Sequence, residues 1–325
     1  MISDFRFAIR LIIFALLFFL AACAAPTPPA PTSTAAPTTT ATAAPSLTPT
    51  TAFTPTATPF PALRLPPAIT SLAKGFGGPD DLALMPDGAI LFSDIGNGTI
   101  NQIAPDGKVT TLLRGLDEPE GIVVLPDGAL IIAEQNKNRL LLFRPHSGQP
   151  ATTWLPLENR TGKPGVDGIA RDPATGDIIV PDSPNGRVLR VSADAKTVRV
   201  IATGLARPTG AQVERDGSVI VADEYGNAVV RVHADGRIET LGKFATPDDV
   251  AADAAGNLFV ASLGDNSIRM TDTRGGAIQL IAAMRDPQGI VVDAAGNLIV
   301  AEAGLNRIVR LVIRGYSSVW GQDVR

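Results

Sequence analysis

The chain is poor in the residues on which much protein chemistry depends. A single cysteine, Cys23, in 325 residues excludes an internal disulfide, so burial alone has to hold whatever folds. No zinc-type cysteine spacing, phosphate loop, dinucleotide fingerprint or G-x-S-x-G elbow occurs, which removes the chemistries those motifs carry. The two tryptophans, Trp154 and Trp320, make no aromatic platform of the kind a sugar-binding groove uses. Basic residues form no stripe, and 28 Lys and Arg stand against 32 Asp and Glu, which argues against nucleic acid as a partner.

What is present begins at the N-terminus. Arg6 and Arg10 precede the apolar run "LIIFALLFFLAA", about a dozen residues, short for a membrane span and suited to the core of a signal peptide. The run ends in "LAAC", which resembles the lipobox of bacterial lipoproteins. That resemblance implies cleavage before Cys23, a diacylglyceryl group on its thiol, and an exported protein held in the cell envelope, touching the membrane through the lipid alone. Residues 1–22 are then a signal peptide, and their removal takes the net charge from −4 to −5. Residues 23–62 change to Pro, Thr, Ala and Ser, as in "APTPPAPTSTAAPTTT". Such a stretch has too little apolar bulk to order itself and reads as an extended tether with a reach on the order of 100 Å.

From 63 to 315 the chain repeats at roughly forty residues, a period that signals a repeat array or propeller. Six units open "GPDDLALMPDGAILFSD" at Gly78, "EPEGIVVLPDGALIIAE" at Glu118, "GVDGIARDPATGDIIVPD" at Gly165, "RPTGAQVERDGSVIVAD" at Arg207, "TPDDVAADAAGNLFVAS" at Thr246 and "DPQGIVVDAAGNLIVAE" at Asp286. Turn dipeptides between alternating apolar runs mark hairpins, and most units carry a second turn further on, as in "APDGKV" and "HADGRI". Each unit therefore reads as a four-stranded antiparallel meander. The fold expected is all-β, a six-bladed β-propeller acting as a monomer, with residues 316–325 as a C-terminal tail. The last unit runs out of strand after Ile313, while "PAITSLAKGFGGPDD" before the first unit matches the joint "GKVTTLLRGLDEPEG". Residues around Ala68 to Ala73 are expected to supply the missing outer strand and close the ring; the rival is "YSSVWGQDVR" at the other end.

The pattern of P-x-G, alternation, Gly-Asn turn, strand ending in Ala-Asp or Ala-Glu and then Asn-x-Ile/Val resembles NHL repeats over most of residues 68–315. It shades into the gluconolactonase, senescence-marker-protein and luciferin-regenerating-enzyme family, and into the streptogramin lyases. The first of these implies a divalent metal held by a Glu early in the first blade, an Asn from a later inner strand and an Asp from a PDG-like motif. "TPDDVAADAAGNLFVAS" places Asp248 at that last position. The first blade reads "GGPDDL", with Asp80 or Asp81 in place of the glutamate, and the asparagine position falls on Thr209. Streptogramin lyases use a histidine near the channel. Here His146 and His233 sit in the turn stretches "RPHSGQ" and "VHADGR", expected at the outer rim and out of reach for proton transfer.

In a meander the first strand starts and the second ends at one edge of the blade. The starts, Asp80, Glu120, Asp167, Thr209, Asp248 and Gln288, and the ends, Asp94, Glu134, Asp182, Asp223, Ser262 and Glu302, should therefore ring one mouth of the central channel. Clustered carboxylates repel unless a cation, a proton or an amide compensates. Metal ligation is expected of Asp80, Asp81, Glu120, Asp167 and Asp248, with calcium the best-suited guest. Thr209, Gln288, Glu134, Asp182, Asp223 and Glu302 are candidates for contacting a ligand, and corner-fixing through loop amides is the alternative for the second set. The function expected is binding of a small molecule or an envelope protein at this mouth; the alternative is a metal-dependent lactonase or esterase centred on Asp248.

Overall fold

Each unit folds because two local signals agree: alternating apolar residues that suit a pleated strand, and a turn that reverses it. In the first unit Met85 N–H donates to Ala89 O, the Asp87 carboxylate accepts from Ala89 N, and Gly88 takes a φ of 86° that side chains resist. The computed structural model describes residues 64–314, apart from residue 254. The signal segment, Cys23, the tether and the tail with its rival closing strand lie outside the described residues.

Six four-stranded antiparallel sheets follow one another, the six blades of a propeller. The innermost strands are Pro79–Leu84, Pro119–Val124, Ala170–Arg171, Pro208–Val213, Pro247–Ala252 and Pro287–Val292. Next outward lie Ile90–Asp94, Leu130–Glu134, Ile178–Asp182, Val219–Asp223, Asn257–Ser262 and Leu298–Glu302. Among the described residues the only helical pieces are two 3-10 turns, Ser183–Asn185 and Ala303–Leu305.

The ring is closed by the N-terminal strand Arg64–Lys74, which runs antiparallel to Arg307–Arg314 with Ala68 opposite Val312 and Ile69 opposite Leu311. It is longer than the Ala68–Ala73 expected. Closure matters because the core is distributed: a hydrophobic cluster fills each seam between neighbouring blades, including the sixth-to-first seam of Leu82, Phe92, Ile299, Ala301 and Ile308. Opening that seam would expose Phe92, which is fully buried and tilted against Phe76 with centroids 4.5 Å apart.

The third blade departs from its siblings. Its inner strand pairs over Ala170–Arg171 alone, and residues 144–169, which carry the insertion, run partly outside any ladder. Glu158 O accepts from Asn138 and Asn185 side chains at 2.9 Å each, which pins the insertion over the joint between blades 2 and 3. The irregular stretch still follows the inner path, since Gly121 N–H donates to Asp167 O at 3.3 Å.

Candidate functional site

The inner strands do more than begin the blades. In five of them the register slips by one residue just after the opening proline: Pro79 faces Asp94 but Leu82 faces Phe92, and the same shift recurs at Pro119, Pro208, Pro247 and Pro287. A bulge of this kind re-aims the residues it contains. Here those residues are 80 and 81, 120 and 121, 209 and 210, 248 and 249, 288 and 289. The first of each pair forms an upper ring and the second a lower tier.

In the upper ring, ligand oxygens of Asp80, Glu120 and Asp167 all lie within 4.8 Å of one another, and each residue is buried. Asp248 is equally buried and acts electrostatically on the same group. Burial, then Asp167, pushes the Asp80 carboxyl up to about 8, with the Glu120 contact acting against the rise. Burial followed by Asp80 and Asp167 lifts Glu120 well above its ordinary value, and burial followed by Asp167 and Asp80 does the same to Asp248. Asp167 is also raised by burial, against the opposing pull of Arg207 and the Gly168 N–H. The cause is shared: these acids leave water without enough positive charge to replace it.

Neutral and cationic neighbours hold the ring in shape. Gln135 Nε2 donates to Glu120 Oε1 at 2.9 Å and, more weakly, to Asp167 Oδ2 at 3.4 Å. Arg207 Nη2 donates to Asp167 Oδ2 at 2.6 Å, Nη1 pairs with Glu224, and the guanidinium lies 5.4 Å from the centroid of the Tyr225 ring. Thr209, fully buried, donates its hydroxyl to Asp248 O at 2.6 Å. Gln288 completes the ring half-buried.

The lower tier behaves differently. Asp81 accepts from Leu82 N at 2.6 Å and from Ile122 N of the next blade at 3.3 Å; Asp249 accepts from Val250 N at 2.8 Å and Ile290 N of the next blade at 2.9 Å. These two carboxylates staple adjacent blades, so Asp81, expected as a metal ligand, has both oxygens committed to backbone amides. Burial, opposed by Leu82 N–H, lifts Asp81 to about 7. Other blades carry glycine at this level because inner strands nearly touch: a Cβ on Gly121 would meet Ile169 N at 2.6 Å, and one on Gly289 would meet Asp80 O at 2.5 Å. Beneath the staples opens a channel of about 410 Å³ bounded mainly by aliphatic residues of all six inner strands.

The strand-end acids proposed as ligand contacts lie at the same edge of the blades but are engaged elsewhere. Asp94 accepts from Gly77 N and Asn97; Glu134 from Asp117 N, Lys137 and Arg139; Asp182 from Asn185 and Arg187; Asp223 from Ala206 N and Arg207 N; Glu302 from Arg285 N and Arg307. Ser262 instead donates to Ala245 O. Glu134, Asp223 and Glu302 each tie the incoming loop to the end of a strand, and Asp182 holds Asn185 and Arg187 of the turn that follows it, contacts that fit the corner-fixing alternative for this set. Lys137 and Arg139 both donate to Glu134.

Sequence reasoning passed over four residues: Arg207, Gln135, Glu224 and Asp249. The Asp-Asp doublet recurring in units one and five marks the staples, and Arg207 directly precedes a unit-opening proline. Both signals are visible in the aligned units.

Residues 82–284 match the family model described as the SMP-30/Gluconolactonase/LRE-like region. The chain belongs to this family. Among solved structures, similarity extends to a putative gluconolactonase (TM-score 0.64, 16% identity, 78% of this chain and 94% of that one) and to a gluconolactonase from Xanthomonas campestris (TM-score 0.64, 17%, 75% and 89%). A virginiamycin B lyase from Staphylococcus aureus is also similar (TM-score 0.59, 19%, 76% and 98%). At these identities the likeness is one of fold. No curated protein matches the chain. Of the positions that the gluconolactonase resemblance implied, Asp248 and Asp80 are buried in the hub, while Asp81 lies in the lower tier. The asparagine position is Thr209, whose hydroxyl is already donated to the backbone.

Proposed function

We propose that the hub binds a divalent cation, calcium the best match, through Asp80, Glu120, Asp167 and Asp248, and that the loaded mouth captures a polar small molecule or a group on an envelope protein. The observation that carries this is the convergence of three buried carboxylates to within 4.8 Å, with a fourth close by and the Arg207 guanidinium bonded to Asp167 alone among them. The donor set fits: oxygen-only and rich in carboxylate, it suits a hard cation. When bound, such an ion would offset part of the ring's negative charge and polarise an oxygen of the ligand. Gln135 would keep Glu120 oriented, and Thr209 would hold the Asp248 backbone in place.

A metal-dependent lactonase or esterase is the second reading, favoured by the family and by Asp248 at its expected position. Binding is preferred because Thr209 does not present a free side-chain amide to the hub. The test is thermal melting in calcium against chelator, then turnover of a lactone and ester panel by wild type and Asp248→Ala. A calcium-dependent rise in melting temperature without Asp248-dependent turnover supports binding. Turnover lost with Asp248 supports the hydrolase, and no calcium shift at all defeats the cation site. We further propose that the propeller acts as a monomer outside the cytoplasm, tethered by lipid on Cys23. Fatty-acid labelling that persists in Cys23→Ser would refute the anchor.

A further inference from the structure

Arg207 brings a cationic side chain into the hub, and it is divided between two acids. Its backbone is fixed, with N–H donated to Asp223 Oδ1 at 2.8 Å and its carbonyl accepting from Glu224 N at 2.9 Å. From there the side chain, 9% exposed as a residue, reaches Asp167 in the neighbouring blade at 2.6 Å while also pairing with Glu224 beside Tyr225. Its Nε is buried without a partner, so the arrangement does not satisfy the whole guanidinium. Asp167 has both oxygens engaged: Oδ1 accepts from Gly168 N at 3.0 Å and Oδ2 from Arg207.

We propose that Arg207 is a tethered competitor for the hub cation, occupying Asp167 when the cation is absent and withdrawing onto Glu224 and the Tyr225 ring when it binds. The inference rests on the cation reading above and adds a residue that sets the affinity. A divalent ion and a guanidinium on one carboxylate repel strongly where water is scarce. The alternative berth is already half made, because Glu224 supplies opposite charge and Tyr225, 54% exposed, supplies an aromatic ring. Binding then measures the difference between two placements of one side chain, not the attraction of the acids alone.

Calorimetric titration of calcium chloride into the purified chain tests this, paired with a crystal structure of the calcium-loaded wild type. Arg207→Gln should tighten calcium binding by roughly tenfold or more, the scale of one charge-assisted hydrogen bond removed from the competing state. The loaded crystal should show the guanidinium off Asp167 and on Glu224, which separates competition from a general loss of positive charge and needs no variant to fold. Calcium binding by wild type with unchanged or weaker binding by Arg207→Gln overturns the inference alone. So does a loaded structure with Arg207 still on Asp167. Absence of binding in both proteins, each shown folded by melting, overturns the cation site itself. Binding by the variant alone supports a competitor strong enough to keep the wild-type hub closed.

Discussion

Two sets of buried acids share one edge of this propeller and have opposite electrostatic fates. Glu134 is less exposed than Asp80, 1% against 6%, and burial acts to raise both. Lys137, Arg139 and the Asp117 N–H outweigh burial at Glu134 and hold its carboxyl below the ordinary value, whereas Asp80 faces Asp167 and climbs to about 8. The difference is one of partners as well as depth: Asp80 lies deep in the hub among other acids, whereas Glu134 sits in a shallower corner with cations and an amide around it. A corner acid is part of the fold, and a hub acid is a standing cost that the fold tolerates.

The comparison breaks most visibly by removing one member of each set. Glu134→Ala should destabilise by about 2 kcal/mol, because Arg139 and the Asp117 amide lose their acceptor in a half-buried corner. Denaturant unfolding measures it, and a loss below about 1 kcal/mol would mean the corner is dispensable. Asp80→Asn should move the other way in chelator at pH 8, stabilising by about 1 kcal/mol as one repelling acid disappears, while reducing the calcium response. An equal loss of stability from both substitutions would dissolve the distinction.

Much of this architecture is legible in the residues, because its causes are local. Gly88 with Asp87 makes a turn wherever the pair stands, and the likeness of "PAITSLAKGFGGPDD" to the inter-blade joints foretells the closing strand. The convergence of Asp80, Glu120, Asp167 and Asp248 follows from the meander alone. Which of two adjacent acids faces the mouth does not, because the bulge decides it, and so Asp81 turns out to staple two blades. Arg207 escapes for another reason. Its reach to Asp167 spans 40 residues of sequence, and a census of carboxylates counts only one sign of charge. The third blade shows the same limit, since nothing in "GVDGIARDPATGD" announces that its inner strand pairs over two residues.

The hub should also reveal itself through pH. Burial pushes Asp80 up to about 8 and Asp81 up to about 7, above the ordinary carboxylate range of the unfolded chain, so the native state holds protons that the unfolded chain has released. Stability in chelator should therefore fall as pH rises from about 5 to 8, by about 2–4 °C in melting temperature for each kcal/mol. Corner acids such as Glu134, held low, have delivered their contribution below that window and should not mask the slope. Calcium should flatten it, since a bound cation replaces the protons. A chelated protein with melting flat or rising across that range would contradict the crowding inferred for the hub.

The smallest effect tests the corner from its exposed side. Lys137 touches Glu134 at 2.9 Å, yet its side chain is 44% exposed, and Glu134 keeps Arg139 and the Asp117 amide when Lys137 is gone. Lys137→Ala should therefore cost no more than about 0.5 kcal/mol. The contrast with Glu134→Ala follows from asymmetry: deleting the acid strands several donors, whereas deleting one exposed donor leaves an acid still satisfied. A cost near that of the glutamate would place Lys137 inside the lock and would mean that water does not screen this edge of the propeller as its exposure implies.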